Sequence, residues 1–151
     1  MERYNKTTKN ARWALLLMLI LTVANLAWVL IRGNTEFVAT AAIPEVVTLT
    51  GILGYVLDWP LYILILCGFV VAAVLVTYFL CWFYGKKRDG AMTTALIMYC
   101  VDYVARMYLL VCDIMEARSW MMILFRVALP TAFLIAMIRG EIARRKRKAL
   151  L

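Results

Sequence analysis

Five polar residues recur along one stretch of the chain at spacings that place them on a single face of a helix. They are Tyr99, Asp102, Tyr103, Arg106 and Asp113, set in an otherwise apolar segment. Asp102 precedes Arg106 by four residues, the order that favours an ion pair on a helix. Pairing lowers the cost of placing one charge near the centre of a bilayer, about 2.5–3.5 kcal/mol on insertion scales. The stripe must therefore face protein or water.

Two further polar residues are expected at a similar depth. A rise of about 1.5 Å per residue puts Arg106 and Arg126 about 12–14 Å below the predicted membrane border and Asn25 about 9 Å below it. We expect Asp102 to join both arginines in one network, with Asp113 at its mouth. The network either binds an anionic or zwitterionic ligand or a partner's charged residue, or it is a buried ion-pair network that fixes helix register. The sequence favours neither.

Signatures of catalysis and of metal binding are sparse. The chain has no histidine, and its four cysteines lie in apolar stretches without a C-x-x-C spacing. Two carboxylates and two arginines without a paired nucleophile and base suggest no reaction. We therefore expect a protein that is not an enzyme and that has no cofactor and no metal site.

The composition is that of a membrane protein. Hydrophobic residues make up 66% of the 151, against about 45–50% in ordinary globular proteins. The net charge of +8 comes from clusters that each adjoin the end of an apolar run. This placement argues against nucleic-acid binding and indicates cytoplasmic segments, because Lys and Arg resist translocation. The basic residues expected at the lipid headgroups, as topology anchors or as ligands of anionic lipid, are Lys86, Lys87, Arg88, Arg144, Arg145, Lys146, Arg147 and Lys148.

Four segments are long and apolar enough to cross a bilayer. They are approximately residues 13–31, 61–84, 92–112 and 119–138. We expect one all-α membrane domain over residues 1–151, built as a four-helix bundle. An external loop over 32–60 and a cytoplasmic basic tail over 139–151 complete the prediction.

Residues 37–57 form a further apolar segment whose placement is ambiguous. Four spans keep thirteen Lys and Arg residues in the cytoplasm, whereas a fifth span here would move residues 86–88 and the basic tail outside. We therefore predict that the external loop bears a helix that lies on the outer leaflet or re-enters it. Glu45 is expected to face outside, and any non-helical backbone at depth must be covered by protein.

Short motifs in the first half resemble those of uncharacterised four-span integral membrane proteins of Gram-positive anaerobes. The likeness lies in Arg12–Leu17 and Leu21–Leu26 of the first span, in Thr35–Phe37 and Ile43–Pro44 of the loop, and in Leu80–Trp82 before a basic loop. Most of these residues are topology signals. The resemblance implies a four-span fold and brings no assigned activity.

Three functional hypotheses follow from the sequence, and the third, a membrane-embedded enzyme that acts on lipid, lacks a recognisable nucleophile and base. The first is a non-enzymatic membrane protein that makes lateral contacts with another membrane protein, as an accessory subunit or an immunity-type factor. The second is a small oligomeric transporter or channel whose polar path is lined by Asp102, Arg106 and Arg126. In either case we expect a multi-pass protein of the plasma membrane with both termini in the cytoplasm. Its partners would be the lipid bilayer and a membrane protein or a second copy, and not nucleic acid.

Overall fold

The computed structural model describes residues 2–32, 41–86, 89–115 and 120–149, and within these ranges it contains helices and no strand. The five helices are α1 (Glu2–Arg32), α2 (Ala42–Val56), α3 (Leu61–Tyr84), α4 (Asp89–Met115) and α5 (Trp120–Ala149). Four of them are long and apolar enough to span a membrane, whereas α2 has only 15 residues. The predicted all-α bundle with four spans is confirmed.

The four long helices close into a ring. α1 packs against α5 and α3, and α4 packs against the same two helices, so that α1 lies diagonally across from α4. The short helix α2 packs mainly on α3 and also contacts α4 and α1. It therefore fills part of the bundle as a fifth helix.

Buried residues on three helices follow the alternating three- and four-residue spacing of a coiled-coil seam. On α1 they are Ala11, Leu15, Met18, Thr22, Asn25 and Val29. On α4 they are Met92, Ala95, Tyr99, Asp102 and Arg106. On α5 they are Ile123, Arg126, Pro130, Phe133, Met137, Gly140 and Arg144. The seams of α1 and α4 are apolar toward the first residues of α1 and carry polar groups farther along, whereas the seam of α5 also has Arg144 at that end.

The start of α1 and the end of α5 lie together. A side chain built at Gly140 would overlap the side chain of Ala11. Arg12 donates to the carbonyl of Trp82 near the end of α3, at 3.3 Å. We call this end of the bundle, which also holds the start of α4, the basic end, and the opposite one the loop end. The described parts of the chain that flank all three basic clusters thus share one end, as a four-span topology requires.

The predicted basic tail begins as packed helix. α5 continues to Ala149, because Ala, Arg, Lys and Glu all favour helix. Arg144 is buried and donates to Thr93 of α4 at 2.6 Å and to Glu141 at 2.8 Å. Arg145 also donates to Glu141, at 3.0 Å, while 72% of its side chain stays exposed. The first part of the tail therefore ties α5 to α4.

Candidate functional site

The N-terminus of α2 lies against the middle of α4. The backbone N–H groups of Ala42 and Ile43 donate to the two carboxylate oxygens of Asp102, each at 2.8 Å. Asp102 stands thirteen residues from either end of α4. The residue that precedes α2, Ala41, has no side chain that could cap the helix, so Asp102 supplies the cap from another helix. Its negative charge also meets the positive end of the α2 dipole.

α2 occupies one half of the bundle. At about 1.5 Å per residue, its 15 residues extend about 22 Å, and the part of α4 from Asp102 to Met115 extends about 20 Å. Ala41 and Ala42 are fully buried, so protein covers the backbone where the helix begins. α2 thus packs inside the bundle, which agrees with the re-entrant placement and not with a helix that lies on the surface.

Glu45 and Arg106 form a buried ion pair one turn farther toward the loop end. The Arg106 guanidinium donates to the Glu45 carboxylate at 3.0 Å, and the two residues are 2% and 3% exposed. The expectation that Glu45 faces outside is therefore wrong. The expected pairing of Asp102 with Arg106 is also wrong, since among the described residues no ion pair joins them. Both oxygens of Asp102 are engaged by the start of α2, which brings Glu45 within reach of Arg106.

Asn25 and Arg126 lie at one level of the bundle, on the seams of α1 and α5. Each is fourteen residues, or about 21 Å, from the contact between Ala11 and Gly140. Arg126 is buried, and Asn25 is fully buried. Neither polar atom of the Asn25 amide has a hydrogen-bond partner among the described residues. We call Asn25, Glu45, Asp102, Arg106 and Arg126 the polar layer.

The two predicted tyrosines join α4 to α5 beside the polar layer. The Tyr99 hydroxyl donates to the carbonyl of Pro130 at 3.1 Å. The Tyr103 hydroxyl shares a hydrogen bond of 3.0 Å with the hydroxyl of Thr131. Both partners lie at the proline in the middle of α5. The hydroxyl groups of both tyrosines therefore bond α4 to α5 and not to α2.

The other predicted site residues are only partly described. The side chain of Asp113 lies outside the described residues, as do Lys87, Arg88 and the side chains of Arg147 and Lys148. Of the basic residues expected at the headgroups, Lys86, Arg145 and Lys146 are exposed and Arg144 is buried. Arg144 contacts α4 and so differs from the rest of that group.

An apolar cavity lies farther along α2, between α1, α2 and α3. Its volume is about 300 Å³, and it is bounded by residues of α1, α2 and α3. α1 contributes Leu26 and Leu30, and small residues of α2 and α3, among them Gly51 and Gly68, form much of the remaining wall. The polar layer thus adjoins the first turn of α2, and the cavity adjoins the turns that follow it.

The charges of the polar layer balance one another. Its two arginines balance its two carboxylates, and among the described residues no group of three or more His, Cys, Asp or Glu side chains could hold a metal ion. Sequence reasoning missed Glu45. The Pro44-Glu45 dipeptide in the first turn of α2 is typical of a helix start, but nothing in it identifies Arg106 as the partner.

Comparison of the chain with protein-family models, with curated proteins and with solved structures finds no match.

Proposed function

We propose that this protein is a non-enzymatic membrane protein that acts through lateral contacts with another membrane protein, as an accessory subunit or an immunity-type factor. The observation that carries the proposal is the exposure of α3. Only 6% of its most apolar window is buried inside the bundle, against 39%, 22% and 33% for the windows of α1, α4 and α5. α3 therefore packs on α2, α4 and α1 mostly through half-buried side chains and leaves a large part of its surface available to neighbours in the membrane.

The surface of α3 has features that helix association in lipid uses. Gly68 and Ala72 are exposed and four residues apart, and nothing lies within 4 Å of the place where a Gly68 side chain would begin. Small residues let two helix backbones approach, which is a main source of affinity between helices in lipid. Phe69 and Phe79 project beside them and are also exposed. A partner helix on this face would gain van der Waals contacts that lipid chains make less well.

The polar layer supports the same proposal, because its principal charges have partners within the chain. Asp102 accepts from α2, and Arg106 pairs with Glu45. In this proposal the layer sets the positions of the helices, and the partner is bound by the outer face of α3.

A photo-crosslinking residue placed on α3 tests the proposal in native membranes. We expect a crosslinker at Phe69 to give a protein adduct, and one at Val104, equally exposed but on α4, to give none. The Phe69 adduct should disappear when Gly68→Ile blocks close approach. A chain that gives no adduct from α3 and behaves as a solitary monomer in mild detergent would count against the proposal.

The second candidate function, a small oligomeric transporter or channel, is favoured by one observation. A half-length helix ends in the middle of the bundle beside buried charges, and non-continuous helices at this depth often adjoin polar paths. The path would be lined by Asp102, Arg106 and Arg126. Flux in reconstituted vesicles that is lost in Arg106→Ala and Arg126→Ala, with folding retained, would favour it. No flux of any tested ion or small anion would argue against it.

We also propose that the basic end faces the cytoplasm of a plasma membrane, which puts both termini inside. The exposed Lys86, Arg145 and Lys146 support this orientation through the positive-inside rule. They would then contact anionic lipid headgroups, with about 1 kcal/mol per charge near the surface.

A further inference from the structure

α2 and the first half of α3 form one packed unit, which we call the hairpin and define as residues 42–75. The backbone N–H of Trp59 donates to the carbonyl of Gly54 at 2.8 Å, and the Trp59 ring covers the same glycine. Farther along, Gly51 lies so close to Cys67 that an added β-carbon would be 3.2 Å from that of the cysteine. These contacts hold the two arms of the hairpin together along the length of α2.

Buried side chains and polar contacts attach the hairpin to the rest of the bundle at two places, and Val74 and Leu75 also pack against the core. The first is the end of α3, where Tyr78 and Cys81 are buried in the core and Trp82 is bonded by Arg12. The second is the start of α2, where Asp102 and Arg106 hold it by hydrogen bonds and an ion pair. We call this second attachment the latch.

Packing is incomplete beside the latch. The cavity of about 300 Å³ separates the hairpin from Leu26 and Leu30 of α1. The cavity is open on one side, where the exposed Gly68 and Ala72 of α3 line it, and the atoms that line such a gap lose contacts with protein. On the α1 side the hairpin is therefore held less firmly by van der Waals packing than a close-packed helix would be.

Within the described part of the chain, the closed position leaves buried polar groups of the layer unsatisfied, the Asn25 amide and the Nε of Arg106 among them. Asn25 is fully buried and its amide has no hydrogen-bond partner among the described residues. An arrangement that admits water to the polar layer would satisfy this amide. Burial of the Asn25 amide thus destabilises the closed position, whereas the contacts of Asp102 and Arg106 with α2 stabilise it.

We propose that the hairpin is a hinged element that turns about the Tyr78–Trp82 segment, and that Asp102 and Arg106 latch it shut. When the latch releases, the start of α2 leaves α4, and water reaches the polar layer and the cavity from the loop end. This device goes beyond the proposed function, because it operates whether or not a partner binds α3.

The natural cysteines report the opening. Cys67 is half-buried in the wall of the cavity, whereas Cys100 is exposed on α4 and lies outside that wall. The full chain in lipid nanodiscs is treated with a water-soluble maleimide, and peptide mass spectrometry follows each cysteine separately. Asp102→Asn keeps the size of the side chain but sets an NH₂ group against an N–H donor of α2. We expect alkylation of Cys67 to become at least about tenfold faster, one decade in rate corresponding to about 1.4 kcal/mol of opening free energy, with Cys100 unchanged.

Two further variants make the result specific. Glu45→Gln removes the charge of the ion pair and keeps Asp102, and it should raise the Cys67 rate by a smaller factor. If Asp102→Asn does not fold, Glu45→Gln decides the matter alone. Tyr103→Phe removes a bond from α4 to α5 and should leave both rates unchanged. The proposal is overturned if Cys67 keeps its wild-type rate in the latch variants, or if Cys67 and Cys100 accelerate together, which would indicate general loosening of the bundle.

Discussion

The buried ion pair between Arg106 and Glu45 limits which single substitutions the protein tolerates at these two positions. Each charge has left water, so each depends on the other for compensation. Removing one partner leaves an unpaired charge, whereas replacing both with apolar residues of similar volume can be nearly neutral.

We therefore expect Arg106→Met and Glu45→Met each to lower the free energy of unfolding by about 3–5 kcal/mol. The double variant should lose much less than the sum of the two. Denaturation in detergent, followed by circular dichroism, measures all three. Strictly additive losses would show that the two side chains do not act as a pair.

Replacing Asn25 with an apolar residue is expected to raise the stability of the protein, in contrast to the ion-pair variants. Its amide is fully buried without a hydrogen-bond partner among the described residues, so Asn25→Leu should raise the free energy of unfolding by about 1–3 kcal/mol. Thr22→Val is the matched control, one turn away on the same seam, where the hydroxyl donates to the Met18 carbonyl at 2.8 Å. It should change stability little. Destabilisation by Asn25→Leu would mean that the amide is satisfied in the folded protein.

For single residues, the sequence predicts which helix faces are buried at the candidate site better than it predicts which side chains pair with one another. Asp102 and Arg106 recur at helical spacing, and their charges require a face turned away from lipid, where the structure has them. The partner of Arg106 could not be predicted, because Glu45 lies 61 residues away and meets it only through the packing of α2. Whether the layer is functional or structural stays a prediction.

Among the helices, the close approach of α1 to α5 depends on Gly140. Gly140→Ala would place a β-carbon against Ala11, and overpacking of this kind costs about 1–3 kcal/mol, so we expect a lower melting temperature. Gly68→Ala is the matched control, since nothing lies within 4 Å there and alanine favours helix by about 1 kcal/mol. It should be neutral or stabilising. Equal effects of the two substitutions in thermal unfolding would contradict the packing described.

The four spans were predictable as elements because length and hydropathy determine which segments cross a bilayer, and α3 coincides with the predicted segment 61–84. The placement of α2 was not predictable from the sequence. A 15-residue apolar helix can lie on a membrane or enter it, and its position depends on the cap that Asp102 supplies from α4. The helical continuation past residue 138 depends likewise on a tertiary contact, from Arg144 to Thr93.

In the bundle as a whole, α5 runs antiparallel to α1 and α4, and these three seams together with the hairpin produce two unlike ends. The basic end is closed by direct contacts among α1, α3, α4 and α5. The loop end is occupied by α2, with a cavity beside it. The outer face of α3 is left for lipid or a partner.

The four-span bundle requires that the described segments next to all three basic clusters lie on one side of the membrane while the end of α1 lies on the other. Single cysteines introduced by Lys6→Cys, Lys86→Cys, Lys146→Cys and Arg32→Cys, in a chain without its natural cysteines, are treated in intact cells with a membrane-impermeant maleimide. We predict labelling of the Arg32→Cys variant alone, with the other three labelled only after the cells are opened. Labelling of the Lys86→Cys or Lys146→Cys variant from outside the intact cell, with the Lys6→Cys variant protected, would contradict the four-span bundle and its polar layer.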